Sequence, residues 1–110
     1  MKPETLLWLN KLKDKNSFKG ILFCGTGIGI SMAANRFPHI RAALCTSIEM
    51  ATKSRKHNDA NILCLGSRIT SSDLCKEIIS AWLAEPFEGG RHSERVAMFS
   101  NIGADPSIEL

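Results

Sequence analysis

The stretch Phe23-Cys24-Gly25-Thr26-Gly27-Ile28-Gly29-Ile30-Ser31 sets a thiol directly before three glycines. A glycine-rich turn between a strand and a helix presents bare backbone N–H groups, which together form a local anion site. Three chemistries use such a turn. Dinucleotide binding wants GxGxxG and an acidic residue at the end of the next strand. Here Gly25, Gly27 and Gly29 read GxGxG, and the next apolar run, IRAALC, ends in Cys45-Thr46. A Walker loop needs Lys-Ser/Thr after its last glycine, and Ile30-Ser31 stands there instead. The third chemistry is an oxyanion cradle. A thiol near a helix N-terminus has its thiolate favoured, and the amides that follow can stabilise a developing enolate-type oxygen. The competing reading is a buried cysteine beside a tight turn, and residue types alone leave both open.

Two further groups carry chemistry-bearing side chains. His57, Asn58, Asp59 and Asn61 crowd one turn. Asn and Asp are ordinary turn formers, and a histidine at a helix end is more often a cap than a catalyst. Arg91 and Arg95 are four residues apart, so on a helix they share a face. Such a pair can grip a phosphate, or form a solvated face paired with Glu88 or Glu94.

The elements that must position these groups alternate. A helix is expected from Pro3, with Leu6, Leu9 and Leu12 at helical spacing, then a buried strand at KGILFC. A helix at ISMAANRF ends near Pro38 and leads to a second strand, IRAALC. The next helix starts with Thr46 or Ser47 as its cap and precedes a third strand, NILCLG. SSDLCKEIISAWLAE is a helix with Leu74, Ile78, Trp82 and Leu83 on one face, and FEGGRHSERVAMFSNI turns at Gly89-Gly90 into a last helix. Alternation with continuously apolar strands implies an α/β fold, a parallel sheet covered on both faces.

The chain has 110 residues, enough for a single domain over 1–110. A net charge of +3, spread along the chain, gives no case for nucleic acid, and the lysines around Asp14 read as a solvated helix face. No apolar run approaches a membrane span. Pro3 and Glu4 follow Met1-Lys2 without an apolar core, so no signal peptide and a cytoplasmic location are expected. Cys24, Cys45, Cys64 and Cys75 contain no CxxC pair, so neither zinc nor disulfides are expected.

In combination, GILFCGTGIGISMAANRFPHIRAALC, RKHNDANILCLGSRI and AWLAEPFEGGRHSERV closely resemble the ribose-5-phosphate isomerase type B family, which includes the galactose-6-phosphate isomerase subunits. The resemblance runs in unbroken order from about Phe18 to Val96. It implies a three-layer, Rossmann-like α/β/α fold and an aldose–ketose isomerase of sugar phosphates that uses neither metal nor organic cofactor. It also implies a homodimer or a dimer of dimers. Cys24 matches the base that moves the proton between C1 and C2. Thr26 and the amides of Gly25, Gly27 and Gly29 match the enediolate cradle. His57 matches the residue that opens the sugar ring. Asn58 and Arg68 match substrate-binding positions, and Arg91 and Arg95 match the phosphate grip. Some branches of the family use a glutamate later in the loop, where this chain has Ile30.

Family members normally begin with a strand ending in an Asp-His pair, followed by a helix-strand segment and a tyrosine-bearing loop. This chain has no Asp-His dipeptide and no tyrosine. By resemblance it is expected to be missing the N-terminal strands of the sheet, and alone to be poorly soluble and of little activity. Ribose 5-phosphate is the expected substrate. A galactose-6-phosphate isomerase subunit and a non-catalytic remnant that only dimerises or binds sugar phosphate are the alternatives. One expectation follows from topology. Cys24 closes a strand and His57 precedes one, so in a parallel sheet they fall at opposite edges, roughly 20 Å apart for a six-residue strand. Both must reach one sugar, so the site is expected to be shared between two subunits.

Overall fold

The computed structural model describes residues 2–99 of the chain. Helix α1 (Pro3–Lys11) continues as a 3-10 turn (Leu12–Asp14) into strand β1 (Gly20–Cys24). Then follow α2 (Ile28–Ala34), β2 (Ala42–Leu44), α3 (Ile48–Asn58), β3 (Ile62–Gly66), α4 (Ser72–Ala84) and α5 (His92–Phe99). Every expected strand and helix is present. The second strand is shorter than the expected IRAALC run, and the end of the FEGGRHSERVAMFSNI stretch, beyond Phe99, lies outside the described residues.

The three strands are parallel in the order β1-β3-β2. Gly20 pairs with Ile62 and Cys24 with Gly66, while Ala42 to Leu44 pair with Ile62 to Cys64. The chain therefore crosses over β3 through α2, then turns back through α3. Parallel crossovers share one hand, so reversing direction across the sheet sends the second helix to the opposite face.

That reversal builds the three layers. All five residues of β3 are buried, and alternate side chains leave opposite faces of a strand. Ile62 and Cys64 join Leu9, Leu12, Ile30, Ala34 and Ile40 under α1 and α2. Leu63 and Leu65 join Cys45, Ala51, Cys75, Ile78 and Trp82 under α3 and α4. Of the two outer edges, that of β2 is covered by one side chain. Asn35 Oδ1 accepts the Ala42 N–H at 2.8 Å, and Asn35 Nδ2 donates to the Ala42 carbonyl at 2.9 Å.

Local signals explain the helix starts. Ser47 caps α3 by accepting the Met50 N–H at 3.1 Å, and Ser71 caps α4 by accepting the Leu74 N–H at 3.2 Å. The buried side of α4 is Cys75, Ile78 and Trp82, with Leu74 half-buried and Leu83 49% exposed. The expected face holds at Leu74, Ile78 and Trp82, while Leu83 lies outside it and Cys75 completes it. On α1, Leu9 and Leu12 are buried and Leu6 is outside. No described helix is long and apolar enough to cross a membrane.

Candidate active site

The sequence-derived site residues fall into two groups at opposite ends of the sheet. Cys24 ends β1 at the carboxyl edge, where α/β folds place their ligands. The turn after it is tightly defined. Gly27 has φ +82°, and a Cβ there would lie 2.5 Å from Leu44 Cδ1 and 3.0 Å from the Leu65 carbonyl carbon. A side chain at Gly66 would collide with the Thr26 carbonyl. The loop can therefore lie flat on the end of β3 only because both positions are glycine. Gly29 is different: nothing lies within 4 Å of a Cβ built there.

The flat loop turns its amides towards the thiol. Gly27 N–H donates to Cys24 Sγ at 3.1 Å. The Ile30 amide is the largest influence on the thiol and holds it below its ordinary value of 9.0. Partial burial opposes this, and the amides of Gly27, Thr26 and Gly29 add to the lowering. Thr26 is exposed, with Oγ1 accepting the Ile28 N–H at 3.2 Å. The β3–α4 loop closes over this turn. Ser67 N–H donates to the Cys24 carbonyl at 2.9 Å and Arg68 N–H to the Gly25 carbonyl at 2.9 Å. The Arg68 side chain lies 3.4 Å from the position of a Gly25 Cβ. Arg68 thus belongs with Cys24, Gly25 and Thr26. A cavity of about 480 Å³ opens beside Cys24, Gly29 and Ile30, bounded by Lys2, Thr5 and Phe23. The other three cysteines are buried and free, and burial pushes Cys64 up to about 12.

The second group gathers where α3 ends. Asp59 caps the helix in the left-handed conformation, φ 49°. Its carboxylate pairs with Arg55 Nη1 at 2.9 Å and Arg41 Nη2 at 3.3 Å. Buried Asn61 accepts the Arg41 N–H at 2.8 Å and donates to the His39 carbonyl at 3.0 Å. Asp59 and Asn61 therefore build the turn, and His57 and Asn58 are left to face outwards. The segment after α4 docks along α3, with Arg55 Nε donating to the Glu85 carbonyl at 3.1 Å and Glu88 N–H to the Lys56 carbonyl at 3.1 Å. Gly89 and Gly90, with φ 74° and 58°, then turn the chain so that His92 stacks on His57, centroids 4.4 Å apart and planes 21° apart. Arg91, His92 and Arg95 line a cavity of about 430 Å³.

His57 is held below its ordinary value of 6.5. Burial is the first cause, followed by the charges of His92 and Lys53; Arg91 adds to it and Glu88 opposes it. His57, Glu88 and His92 bring donor atoms within 4.8 Å of one another. Stacked imidazoles aim their in-plane lone pairs past each other, and Lys53 and Arg91 make the surroundings positive, so this is not the arrangement of a cation site. Sequence reasoning did not single out His92, and it named Glu88 only as a partner for Arg91 and Arg95. Both stand inside the FEGGRH block, but only the docking of that block on α3 reveals their neighbour.

The two groups do not meet within one chain. Cys24 is level with Gly66, the last residue of β3, while His57 precedes Ile62, the first. Four residue steps at about 3.3 Å give β3 a length of about 13 Å, and the two groups lie beyond its opposite ends.

Comparison with known proteins gives this arrangement a family. The model of the Ribose/Galactose Isomerase family matches residues 7–99. The chain is 52% identical over 83 residues to ribose-5-phosphate isomerase B of Escherichia coli strain K12, covering 76% of this chain and 56% of that protein. It is 46% identical over 85 residues to the D-erythrulose-4-phosphate isomerase of Pectobacterium atrosepticum, with 77% and 56% covered. The chain thus spans little more than half the length of these relatives. Among solved structures, ribose-5-phosphate isomerase B of Clostridium thermocellum superposes with a TM-score of 0.85 at 48% identity, over 93% of this chain and 70% of that one. The type B enzyme of Trypanosoma cruzi gives 0.86 at 42% identity, over 93% and 69%. With its cysteine loop, its histidine turn and its arginine pair all inside the matched region, the chain belongs to the ribose/galactose isomerase family.

Proposed function

We propose that this chain contributes to an aldose–ketose isomerase of phosphorylated sugars, with ribose 5-phosphate to ribulose 5-phosphate as its reaction. The observation that carries the reading is the Cys24 thiol held among the amides of its own loop, at a sheet edge with an open cavity. Isomerisation needs a base that removes the proton at C2 and returns it at C1, and donors for the enediolate oxygen between the two steps. Cys24 as thiolate supplies the first, and the Gly25–Gly29 amides with Thr26 supply the second. His57 opens the ring, Asn58 and Arg68 hold sugar hydroxyls, and Arg91 and Arg95 hold the phosphate.

The separation of Cys24 from His57 supports a site shared between two copies, in which the His57 turn of one faces the Cys24 loop of the other. A two-fold dimer allows this reciprocally. Two relatives named for ribose 5-phosphate and one named for erythrulose 4-phosphate favour a short phosphorylated aldose or ketose, and none of the three is named for galactose 6-phosphate.

The test follows ribose 5-phosphate in deuterated water, reading deuterium at C2 and ribulose formation by NMR. The purified chain is expected to give exchange above buffer, with slow turnover. Cys24→Ala and His57→Ala should each return it to the buffer rate. After subunit exchange, an equal mixture of the two should recover about a quarter of the wild-type rate, because half the dimers carry one intact site. Exchange that survives Cys24→Ala would remove the thiol from the reaction, and a mixture that stays at background would remove the shared site.

A further inference from the structure

We propose that a dianion docking against Arg91 and Arg95 loads a proton onto His57, so that the phosphate of the substrate arms the acid that opens its own ring. The inference rests on the isomerase reading above and adds a linkage between two parts of that site.

The geometry places one residue in both. His92 lines the cavity with Arg91 and Arg95, and the same ring stacks on His57 at 4.4 Å. The anion cavity and the ring-opening imidazole are therefore separated by the thickness of one side chain. His57 faces the fixed positive charges of Lys53 on its own helix and Arg91 in the turn before α5, and the stacked His92 ring disfavours two protonated imidazoles side by side. Glu88 is the acid among them, and its backbone is fixed to α3 by the bond to the Lys56 carbonyl. These surroundings disfavour the protonated imidazole, the form that can donate to a ring oxygen. A dianion between the two arginines offsets the charge that holds the proton off, and opposite charge at close range favours the protonated ring.

The proton goes to His57 and not to its stacked neighbour. His92 Nε2 is buried and has no hydrogen-bond partner. Charging that ring would leave an N–H of a cation aimed at nothing, which is costly. His57 is only half-buried. In the ring-opening step the bond between C1 and the ring oxygen breaks with its electron pair going to that oxygen. The oxygen takes the proton from His57, the anomeric hydroxyl gives its own to water, and the C1 aldehyde remains. His57 ends neutral.

Linkage is reciprocal: if the anion raises the proton affinity of His57, the protonated form binds the anion more tightly. Sulfate is the probe, because its charge is constant between about pH 5 and 8, where an imidazole titrates. The chain has three histidines, so ring-proton NMR gives three resolvable titrations. His39, whose ring donates to the Leu9 carbonyl at 2.7 Å and sits beside Phe18 and Phe37, does not line the Arg91–Arg95 cavity and is the internal reference. With saturating sulfate the His57 midpoint should rise by about one pH unit, and sulfate binding should tighten roughly tenfold on going from above to below that midpoint. His39 should not move, and chloride at matched ionic strength should not reproduce the shift. In Arg91→Gln/Arg95→Gln the resting midpoint should already be raised, and sulfate should add nothing. Sulfate that shifts His92 and leaves His57 in place overturns the proposal. So does sulfate that binds without moving any midpoint, or fails to bind. None of these readouts involves turnover, so a chain that isomerises while His57 ignores sulfate refutes the linkage alone.

Discussion

Gly27 N–H points at Cys24 Sγ from 3.1 Å, three residues further along the chain. A residue in the left-handed conformation turns the loop back on the thiol that precedes it. The first prediction follows. Cys24 should alkylate ahead of the other cysteines, with a rate that rises through a midpoint below 9.0. Cys64, pushed to about 12, should stay unlabelled in the folded protein. Iodoacetamide labelling across pH with peptide mapping measures this. Earlier labelling of Cys45, Cys64 or Cys75 would show that the loop does not activate its thiol.

The glycines of the loop should separate into two kinds. Gly27→Ala meets both a strained φ and Leu44 Cδ1, and should cost about 2–4 kcal/mol from the left-handed backbone and overpacking together. Gly29→Ala has open space and should leave stability within about 1 kcal/mol of wild type. Urea unfolding of the two variants compares them directly. Equal losses would mean that the loop relaxes freely and that its close fit to β3 is not needed.

Cys64 gives a pH prediction whose sign is fixed by burial. Its folded value, about 12, lies above the ordinary 9.0, so the folded state holds a proton that the unfolded state releases. The stabilisation is complete below pH 9 and is lost as the pH rises towards 12. Within that window Cys64 should contribute a fall of about 1.4 kcal/mol per pH unit. Denaturation midpoints of wild type and Cys64→Ala, measured from pH 8 to 10.5, should converge. Parallel curves would place the thiol in a more polar setting.

Asn35 should matter through an edge and not through a core. Its amide engages both polar groups of Ala42. Asn35→Leu keeps the side-chain size and removes both bonds, at a cost of about 1 kcal/mol because the groups are exposed to water. It also leaves β2 with an unguarded edge, which should raise concentration-dependent association. Sedimentation of the variant over a range of concentrations reads this, and an unchanged profile would show the edge is protected by other means.

The alternation of strands and helices was legible in the sequence because β3 is a continuous apolar run and Ser47 is a strong cap signal. The strand order was not. It depends on which way the chain turns after β2, and no residue in IRAALC states that. The α4 face was legible at Leu74, Ile78 and Trp82; Leu83, though apolar, lies outside it, and Cys75, a small buried thiol, completes the packed side. Cys24, His57 and the arginine pair stood out by type and by family resemblance. His92 did not, because its meaning lies in a stack formed across 35 residues of chain. Asp59 and Asn61 read as turn formers in the sequence, and the structure places them in the turn that presents His57 and Asn58.

The fully buried central strand acts as a ruler. β3 carries the Cys24 loop against its last residue and the His57 turn before its first, and both of its faces are packed. Adding or deleting one residue in it would move the two ends by about 3.3 Å and also invert every side chain beyond the change. The spacing is therefore quantised, and a single-residue adjustment ruins the core. Any change in the placing of the two groups has to be made elsewhere, in the loop after Gly66 or in the turn at Gly89-Gly90.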